Sequence, residues 1–188
     1  LLGVSKVELG VQHLDDGVLQ RNSRGHGSEA IRSATAELRK QGFKVGYHVM
    51  LGLPGASEDL DAWMLAEALW TPEHSPDFLK VYPCALLKDR QLQPALYRQY
   101  DRGDWYPPSR GYVRRELDVL WANVPAYVRV SRVGRMFPEH TQLNDCYRGI
   151  RREAEGGCQC IRCREAGRHA TERDVAGIGS TRYRETRV

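Results

Sequence analysis

Three cysteines near the end of the sequence have a spacing that suits metal binding. Cys158, Cys160 and Cys163 form a C-x-C-x-x-C pattern directly after two glycines. Zinc prefers soft thiolate ligands in a tetrahedron, and a disulfide closed within Cys-x-Cys would be strained. The spacing therefore predicts a zinc site, with three unrelated reduced thiols as the alternative. The fourth ligand stays open among Cys84, Cys146, His140, His169 and a residue of another chain.

Basic residues are distributed unevenly along the sequence. Residues 1–125 carry 15 basic and 16 acidic side chains, whereas residues 126–188 carry 13 basic and 8 acidic ones, and all 13 are arginine. The planar guanidinium group suits phosphate. The second segment therefore predicts a nucleic-acid partner, with an ordinary solvated surface as the alternative. The candidate contacts are Arg129, Arg132, Arg135, Arg151 and Arg152.

Composition and length limit the class of protein. The 188 residues are 41% hydrophobic and 28% charged, which is typical of a soluble globular protein. No apolar run approaches the roughly 20 residues that span a bilayer. The five cysteines and the lack of a visible signal peptide predict a cytoplasmic, reducing environment. Since the sequence opens on Leu1 and enters a strand-like segment almost at once, we expect a fragment.

Hydrophobic periodicity predicts alternating strands and helices in the first half of the chain. We expect strands over 4–11, 43–51 and 78–83, separated by helices that Ser28 and Ser57 cap. Strands joined by helical crossovers form a parallel sheet, and its ligands lie at the carboxyl ends of the strands. Those ends carry Gln12, residues 50–55 and Tyr82.

The pattern changes after this region. Two helices are expected near residues 92–100 and 113–124, then a strand over 127–133 and a helix over 142–154. We therefore divide the chain into 1–88, an extension over 89–168 with the cysteines, and a tail or the start of another domain over 169–188.

Several short motifs, in this order, resemble a known family. They are Val7-Glu8-Leu9-Gly10-Val11-Gln12, Asn22-Ser23-Arg24-Gly25-His26, Gly42-Phe43-Lys44-Val45, Leu51-Gly52-Leu53-Pro54-Gly55, Leu79-Lys80-Val81-Tyr82-Pro83, residues 129–135 and the cysteine run. Together they resemble the catalytic subunit of Elongator and its single-chain archaeal and bacterial relatives, over roughly residues 3–168.

The resemblance implies a fold and an activity. The fold would be α/β, the C-terminal half of a radical S-adenosylmethionine partial (β/α) barrel with a small α+β zinc-bearing extension. The family modifies carbon 5 of the wobble uridine of tRNA, using S-adenosylmethionine, a [4Fe-4S] cluster and acetyl-CoA. The cluster cysteines and the acetyltransferase domain fall outside this sequence, so we expect the fragment alone to be inactive. A homodimer or a larger complex is expected.

The resemblance also assigns roles to individual residues. It implies that Gln12 and Arg24 contact the methionine part of S-adenosylmethionine and that His48 contacts its ribose. Lys80 and Tyr82 would face a substrate cavity. A strand-end polar group, a surface arginine and a core histidine are the ordinary alternatives for the first three. Arg135 begins an Arg-Met-Phe-Pro run where the family commonly has an Arg-Asp-Ile-Pro-like run.

A second function class stays open beside the enzyme. The chain could be a non-catalytic, zinc-stabilised, arginine-rich RNA-binding module, or an inactive remnant. The gene sequence upstream of Leu1 would separate the two classes, because a three-cysteine loop encoded there supports the enzyme and a start codon there counts against it.

Overall fold

The computed structural model describes residues 3–134 and 141–144. These residues form an α/β fold in which helices connect successive parallel strands. The elements are β1 (Lys6–Gln12), α1 (Asp16–Arg21), α2 (Ser28–Lys40), β2 (Lys44–Leu51), α3 (Glu58–Trp70), β3 (Phe78–Pro83), a 3-10 turn (Arg90–Leu92), α4 (Pro94–Asp101), α5 (Arg110–Asn123) and β4 (Arg129–Val133).

The four strands form one sheet in the order β1-β2-β3-β4, and every neighbouring pair is parallel. Val45 pairs with Val7, and Leu79 pairs with both Tyr47 and Val130. The predicted parallel sheet is confirmed. β4 lies beyond residue 88 and still extends the same sheet.

Helices cover one face of the sheet. Along each strand, apolar side chains that pack against these helices alternate with side chains on the other face. In β3, the apolar Leu79 and Val81 are fully buried, whereas Lys80 and Tyr82 between them are half-buried on the other face. The main core is formed by side chains of all four strands together with residues from α2, α3 and α5. Burial of this apolar surface is the main stabilising contribution to the fold.

Side-chain caps fix where several helices begin. The Ser57 hydroxyl accepts a hydrogen bond from the Leu60 amide at 3.2 Å, so the predicted cap of α3 is confirmed. The predicted cap of α2 is wrong, because Gly27 is the N-cap and Ser28 is the first helical residue. There the Asp16 carboxylate of α1 accepts from the Ser28 amide at 2.6 Å, which supplies the missing cap from a distance in sequence.

Two other sequence expectations need correction. The short helix α1 was not predicted, and residues 142–144 do not begin a helix. Gln142 instead forms an antiparallel bridge with Leu87, and the Leu143 amide donates to the Leu86 carbonyl at 2.8 Å. This short return segment lies beside the chain that leaves β3. The remainder of the predicted 142–154 helix is outside the described residues.

No helix within residues 3–134 and 141–144 combines the length and the apolar character that crossing a bilayer requires.

Candidate functional site at the strand ends

A cavity of about 330 Å³ opens at the carboxyl ends of β1, β2 and β3. Its volume is at the lower end of the roughly 300–1,000 Å³ that ligand pockets have. It is lined by Gln12, Arg21, Asn22, Ser23, Arg24, Met50, Leu53, Pro83, Cys84, Ala85, Gln93, Ala95, Leu96 and Gln99. The strand ends therefore supply one wall, the loop after α1 a second, and α4 a third.

Gln12 occupies an unusual backbone conformation at the end of β1. Its φ of 65° lies in the left-handed region, which non-glycine residues rarely adopt. The pairing between β1 and β2 shifts register between Leu9 and Gln12, so the strand is irregular just where it reaches the cavity. Such strain persists only where surrounding contacts hold it, and it is concentrated at functional sites. The irregularity brings Gln12 into the cavity wall.

The loop after α1 brings a guanidinium group to the same place. Arg24 donates a hydrogen bond from Nη2 to the Gly10 carbonyl at 2.9 Å, beside the end of β1. The neighbouring Asn22 donates from Nδ2 to the Pro54 carbonyl at 2.9 Å, which ties this loop to the turn after β2. Gln12 and Arg24, 12 positions apart in sequence, therefore line one cavity. Together they offer an amide and a positive charge, which suits a ligand that carries a carboxylate.

His48 lies elsewhere. It belongs to β2, but its ring faces the half-exposed side of the sheet, where Nε2 is 2.7 Å from Glu8 Oε2. It also makes an edge-on ring contact with Tyr82 at 6.0 Å. His48 is not among the residues that line the cavity. The structure thus separates His48 from Gln12 and Arg24 and places it with Lys80 and Tyr82.

The half-exposed sheet face carries a compact charged cluster around Glu8. Lys6 Nζ lies 2.6 Å from Glu8 Oε1, and both His48 and Lys80 contact the other carboxylate oxygen. Gly46 makes room for this cluster, because a Cβ there would lie 3.1 Å from Glu8 Cγ. Hydrogen bonds from Lys6 and Lys80 lower the pKa of Glu8 to about 2, against partial desolvation. Glu8 is therefore ionised at neutral pH, and the cluster keeps a surplus of positive charge.

Two of the arginines proposed for nucleic acid lie on β4, next to this cluster in the sheet. Arg129 pairs with Phe78 and Arg132 pairs with Lys80 across the β3–β4 ladder. Arg129 is half-buried and Arg132 is exposed. The basic side of the sheet therefore continues from β3 onto its edge strand. Arg135, Arg151 and Arg152 are outside the described residues.

A buried polar network behind the cavity was missed by sequence reasoning. His13 and Asp61 are both fully buried, and His13 Nε2 lies 3.2 Å from Asp61 Oδ1. The second carboxylate oxygen accepts from the Gly52 amide at 2.6 Å and from the Tyr112 hydroxyl at 2.7 Å. The one sequence feature that could have pointed to this network is a histidine directly after the glutamine at the end of β1. Nothing in the sequence connects it to an aspartate 48 residues later.

The cysteine trio Cys158, Cys160 and Cys163 is outside the described residues. Within residues 3–134 and 141–144, no group of three or more His, Cys, Asp or Glu side chains could hold a metal ion. Cys84, one of the candidate fourth ligands, is buried and lines the cavity after β3. The predicted zinc site therefore stays a prediction.

The fold is that of an α/β protein with a cavity, the candidate ligand site, at the ends of its parallel strands. In sequence, the chain is 33% identical over 174 residues to a tRNA uridine(34) acetyltransferase of Methanocaldococcus infernus, covering 88% of this chain and 32% of that protein. It is 35% identical over 182 residues to the protein of the same name from Dehalococcoides mccartyi, covering 93% and 39% respectively. Human Elongator complex protein 3 is 29% identical over 175 residues, covering 88% and 31%.

A solved structure agrees with these sequence matches. The archaeal Methanocaldococcus infernus Elp3 with an N-terminal deletion superimposes with a TM-score of 0.71 and 31% identity, over 86% of this chain and 39% of that one. No family model matches the sequence. The resemblance to the Elongator catalytic subunit family is confirmed, since the chain is homologous to that family over 88% of its length. It spans about a third of the length of these relatives.

Proposed function

We propose that the chain is part of a radical S-adenosylmethionine enzyme that uses acetyl-CoA to modify carbon 5 of the wobble uridine of tRNA. The observation that carries this proposal is homology to proteins named tRNA uridine(34) acetyltransferase, with a cavity at the strand ends lined by Gln12 and Arg24. The product would be of the carboxymethyl type. The four-stranded parallel sheet would be the C-terminal half of a partial (β/α) barrel.

The residues of the cavity fit S-adenosylmethionine in their chemistry. Arg24 would pair with the carboxylate of the methionine part, and the Gln12 amide would contact the same zwitterion. The apolar wall formed by Met50, Leu53 and Leu96 suits the uncharged rest of the ligand. When bound and reduced, this cofactor would supply the radical that starts the chemistry. The chain's own residues would orient it and exclude water.

The polar face of the sheet supports a substrate role for Lys80 and Tyr82. Both project from β3 on the side opposite the core, next to His48 and Glu8. In a barrel this side faces inward. A positive charge from Lys80 and a hydroxyl from Tyr82 would hold an anionic or polar group of the substrate there.

The remaining cofactors are proposed for parts that the described residues do not include. The [4Fe-4S] cluster would be held by cysteines outside this sequence, and acetyl-CoA would bind a separate domain. Zinc would be held by Cys158, Cys160 and Cys163, which would fix the arginine-rich extension for tRNA. We propose a cytoplasmic enzyme that acts as a homodimer or within a larger complex.

Equilibrium binding of S-adenosylmethionine to the full-length protein that contains this chain tests the proposal. We expect Gln12→Ala and Arg24→Ala each to weaken binding by at least about 10-fold, because each removes a hydrogen bond to a charged ligand group. Arg32→Ala is the matched control, since this arginine lies on α2 in a surface pair with Glu29 and does not line the cavity.

Two results would count against the proposal. Absence of binding to the full-length protein that contains this chain, purified anaerobically with its metals retained, would favour the non-catalytic RNA-binding alternative. Equal binding by the natural protein and the Gln12→Ala, Arg24→Ala and Arg32→Ala variants would show that the cofactor does not bind in the strand-end cavity.

A further inference from the structure

A buried carboxylate–imidazole pair joins the loops that follow β1 and β2. His13 comes directly after Gln12, and Gly52 comes directly after the last residue of β2. Asp61 lies in the first turn of α3 and reaches both places. The side chains of His13 and Asp61 are completely inaccessible to solvent. The pair therefore connects two segments that are far apart in sequence and both border the cavity.

The hydrogen bonds assign one tautomer to His13. The Asp15 amide donates to Nδ1 at 2.9 Å, so this nitrogen has no proton. The proton lies on Nε2, which donates to Asp61 Oδ1 at 3.2 Å. The imidazole thus links a backbone amide just beyond β1 to a carboxylate on α3. This arrangement fixes the position of the residue that follows Gln12.

The other oxygen of Asp61 holds the turn after β2. Oδ2 accepts from the Gly52 amide at 2.6 Å and from the Tyr112 hydroxyl of α5 at 2.7 Å. Trp105 donates from Nε1 to the Gly52 carbonyl at 2.9 Å, so both backbone polar groups of this glycine are paired. A buried carboxylate is costly unless all its partners are present. Apolar side chains could fill this position, but they would not hold these two loops.

The two held segments are parts of the cavity wall. Gln12, in its left-handed conformation, is the neighbour of His13. Met50 and Leu53 lie on either side of Gly52. We infer that His13 and Asp61 are positioning residues, which keep Gln12 and the 50–53 segment in the geometry that the ligand needs. The inference rests on the proposed function only for the identity of that ligand.

Two substitutions of His13 separate positioning from general stability. His13→Gln retains a donor near the place of Nε2, so it can still reach Asp61. His13→Asn retains an acceptor near the place of Nδ1 for the Asp15 amide but is too short for Asp61. Thr35→Val is the control, because its buried hydroxyl contacts Ile31 and Tyr47 in the main core and it does not line the cavity.

The measurements are S-adenosylmethionine affinity and hydrogen exchange of the Gly52 amide, in the full-length protein that contains this chain and under conditions where urea unfolding shows every variant folded. We expect His13→Asn to weaken binding by roughly 10–100-fold and to speed Gly52 exchange, as loss of an orienting partner does elsewhere. His13→Gln should bind within about 3-fold of the natural chain. Thr35→Val should lower the unfolding midpoint and leave both measurements unchanged.

The outcomes distinguish the inference from the proposed function. If His13→Asn binds S-adenosylmethionine as tightly as the natural protein does, while Gln12→Ala binds it weakly, the inference is overturned and the proposed function stands. An equal loss in Thr35→Val also overturns it, because the effect would then be general destabilisation. If the full-length protein that contains the natural chain binds no S-adenosylmethionine, the proposed function fails. The exchange of the Gly52 amide then tests the inference by itself. Faster exchange in His13→Asn than in His13→Gln supports it, and equal exchange in the two variants overturns it.

Discussion

The Glu8 carboxylate should make stability depend on pH, because Lys6 and Lys80 hold its pKa near 2, below the ordinary value of 4.5. Its stabilisation is complete above about pH 4.5 and is lost as pH falls toward 2, since protonation breaks the contacts. We expect Glu8→Gln to lower the free energy of unfolding by roughly 1 kcal/mol at neutral pH. Urea unfolding of both proteins across this range measures the difference.

Glu29→Gln is the control for that experiment. Glu29 pairs with Arg32 on α2 at 2.8 Å, but 77% of its side chain is exposed, and surface pairs contribute little. We expect no measurable change at any pH. If the difference between the natural chain and Glu8→Gln stays constant down to pH 2, the description of the cluster is wrong.

At single residues, the sequence predicted the cavity only in part. Gln12 could be expected there, because ligands of a parallel sheet lie at the carboxyl ends of its strands, whereas Arg24 was expected only from the family resemblance. His13 and Asp61 could not, since side-chain pairing across 48 positions depends on how α3 packs. His48 and Met50 lie on the same face of β2, so His48 is separated from the cavity by its position one step further back along the strand, where its ring meets Glu8.

At the level of the elements, the turn between β2 and α3 depends on glycine at residue 52. Gly52 has a φ of +68°, and a Cβ there would lie 2.6 Å from Pro108 Cγ. Gly52→Ala should therefore combine backbone strain with overlap against the segment before α5. We expect it to lower the free energy of unfolding by roughly 2–4 kcal/mol, measured by urea titration.

Gly25→Ala is the matched control for the turn. Gly25 lies in the loop between α1 and α2, and a Cβ there would have no heavy atom within 4 Å. The expected change is within about 0.5 kcal/mol, as for other surface substitutions. Equal unfolding midpoints for the two alanine variants would show that the turn does not need glycine.

Element boundaries were predictable where the pattern was strong. β3 occupies Phe78–Pro83, the range that alternation predicts. α1 was missed because six mostly polar residues carry too little periodicity to be recognised. On α3, the apolar Trp63 is 44% exposed, whereas Met64 and Leu65 directly after it are buried. Apolar residues of α3 occur on more than one side of the helix, so its pattern does not reveal which face packs on the sheet.

At the scale of the whole molecule, the arginines of β4 should contribute to tRNA affinity through phosphate contacts. We expect the double variant Arg129→Ala and Arg132→Ala to bind tRNA more weakly. The slope of log affinity against log salt concentration should fall in magnitude by roughly 1.5, because two fewer phosphates would be neutralised and fewer counterions released on binding. Filter binding over a range of salt concentrations measures both quantities.

The matched control for tRNA binding is the pair Arg98→Ala and Arg114→Ala. Both are exposed arginines, on α4 and α5, away from β4 and the charged sheet face. This variant removes the same net charge and should change the slope much less. If the two double variants lose affinity equally, binding depends on overall charge and not on the edge of the sheet.

The architecture of the described region followed from the order of its elements. Strands connected by helical crossovers usually pair in parallel, so the sheet was predictable before any contact was known. The placement of β4 beside β3 was not, because the long connection through the 3-10 turn, α4 and α5 could equally have led to a separate extension. The resemblance in motifs and the superposition on archaeal Elp3 support the same fold.

Nucleoside mass spectrometry of tRNA from the source organism tests the central claim most directly. Deleting the gene should remove the carboxymethyl-type modification from the wobble uridine. The natural gene should restore it, whereas a copy carrying Arg24→Ala should restore much less. Unchanged wobble uridine in the deletion strain would contradict the account.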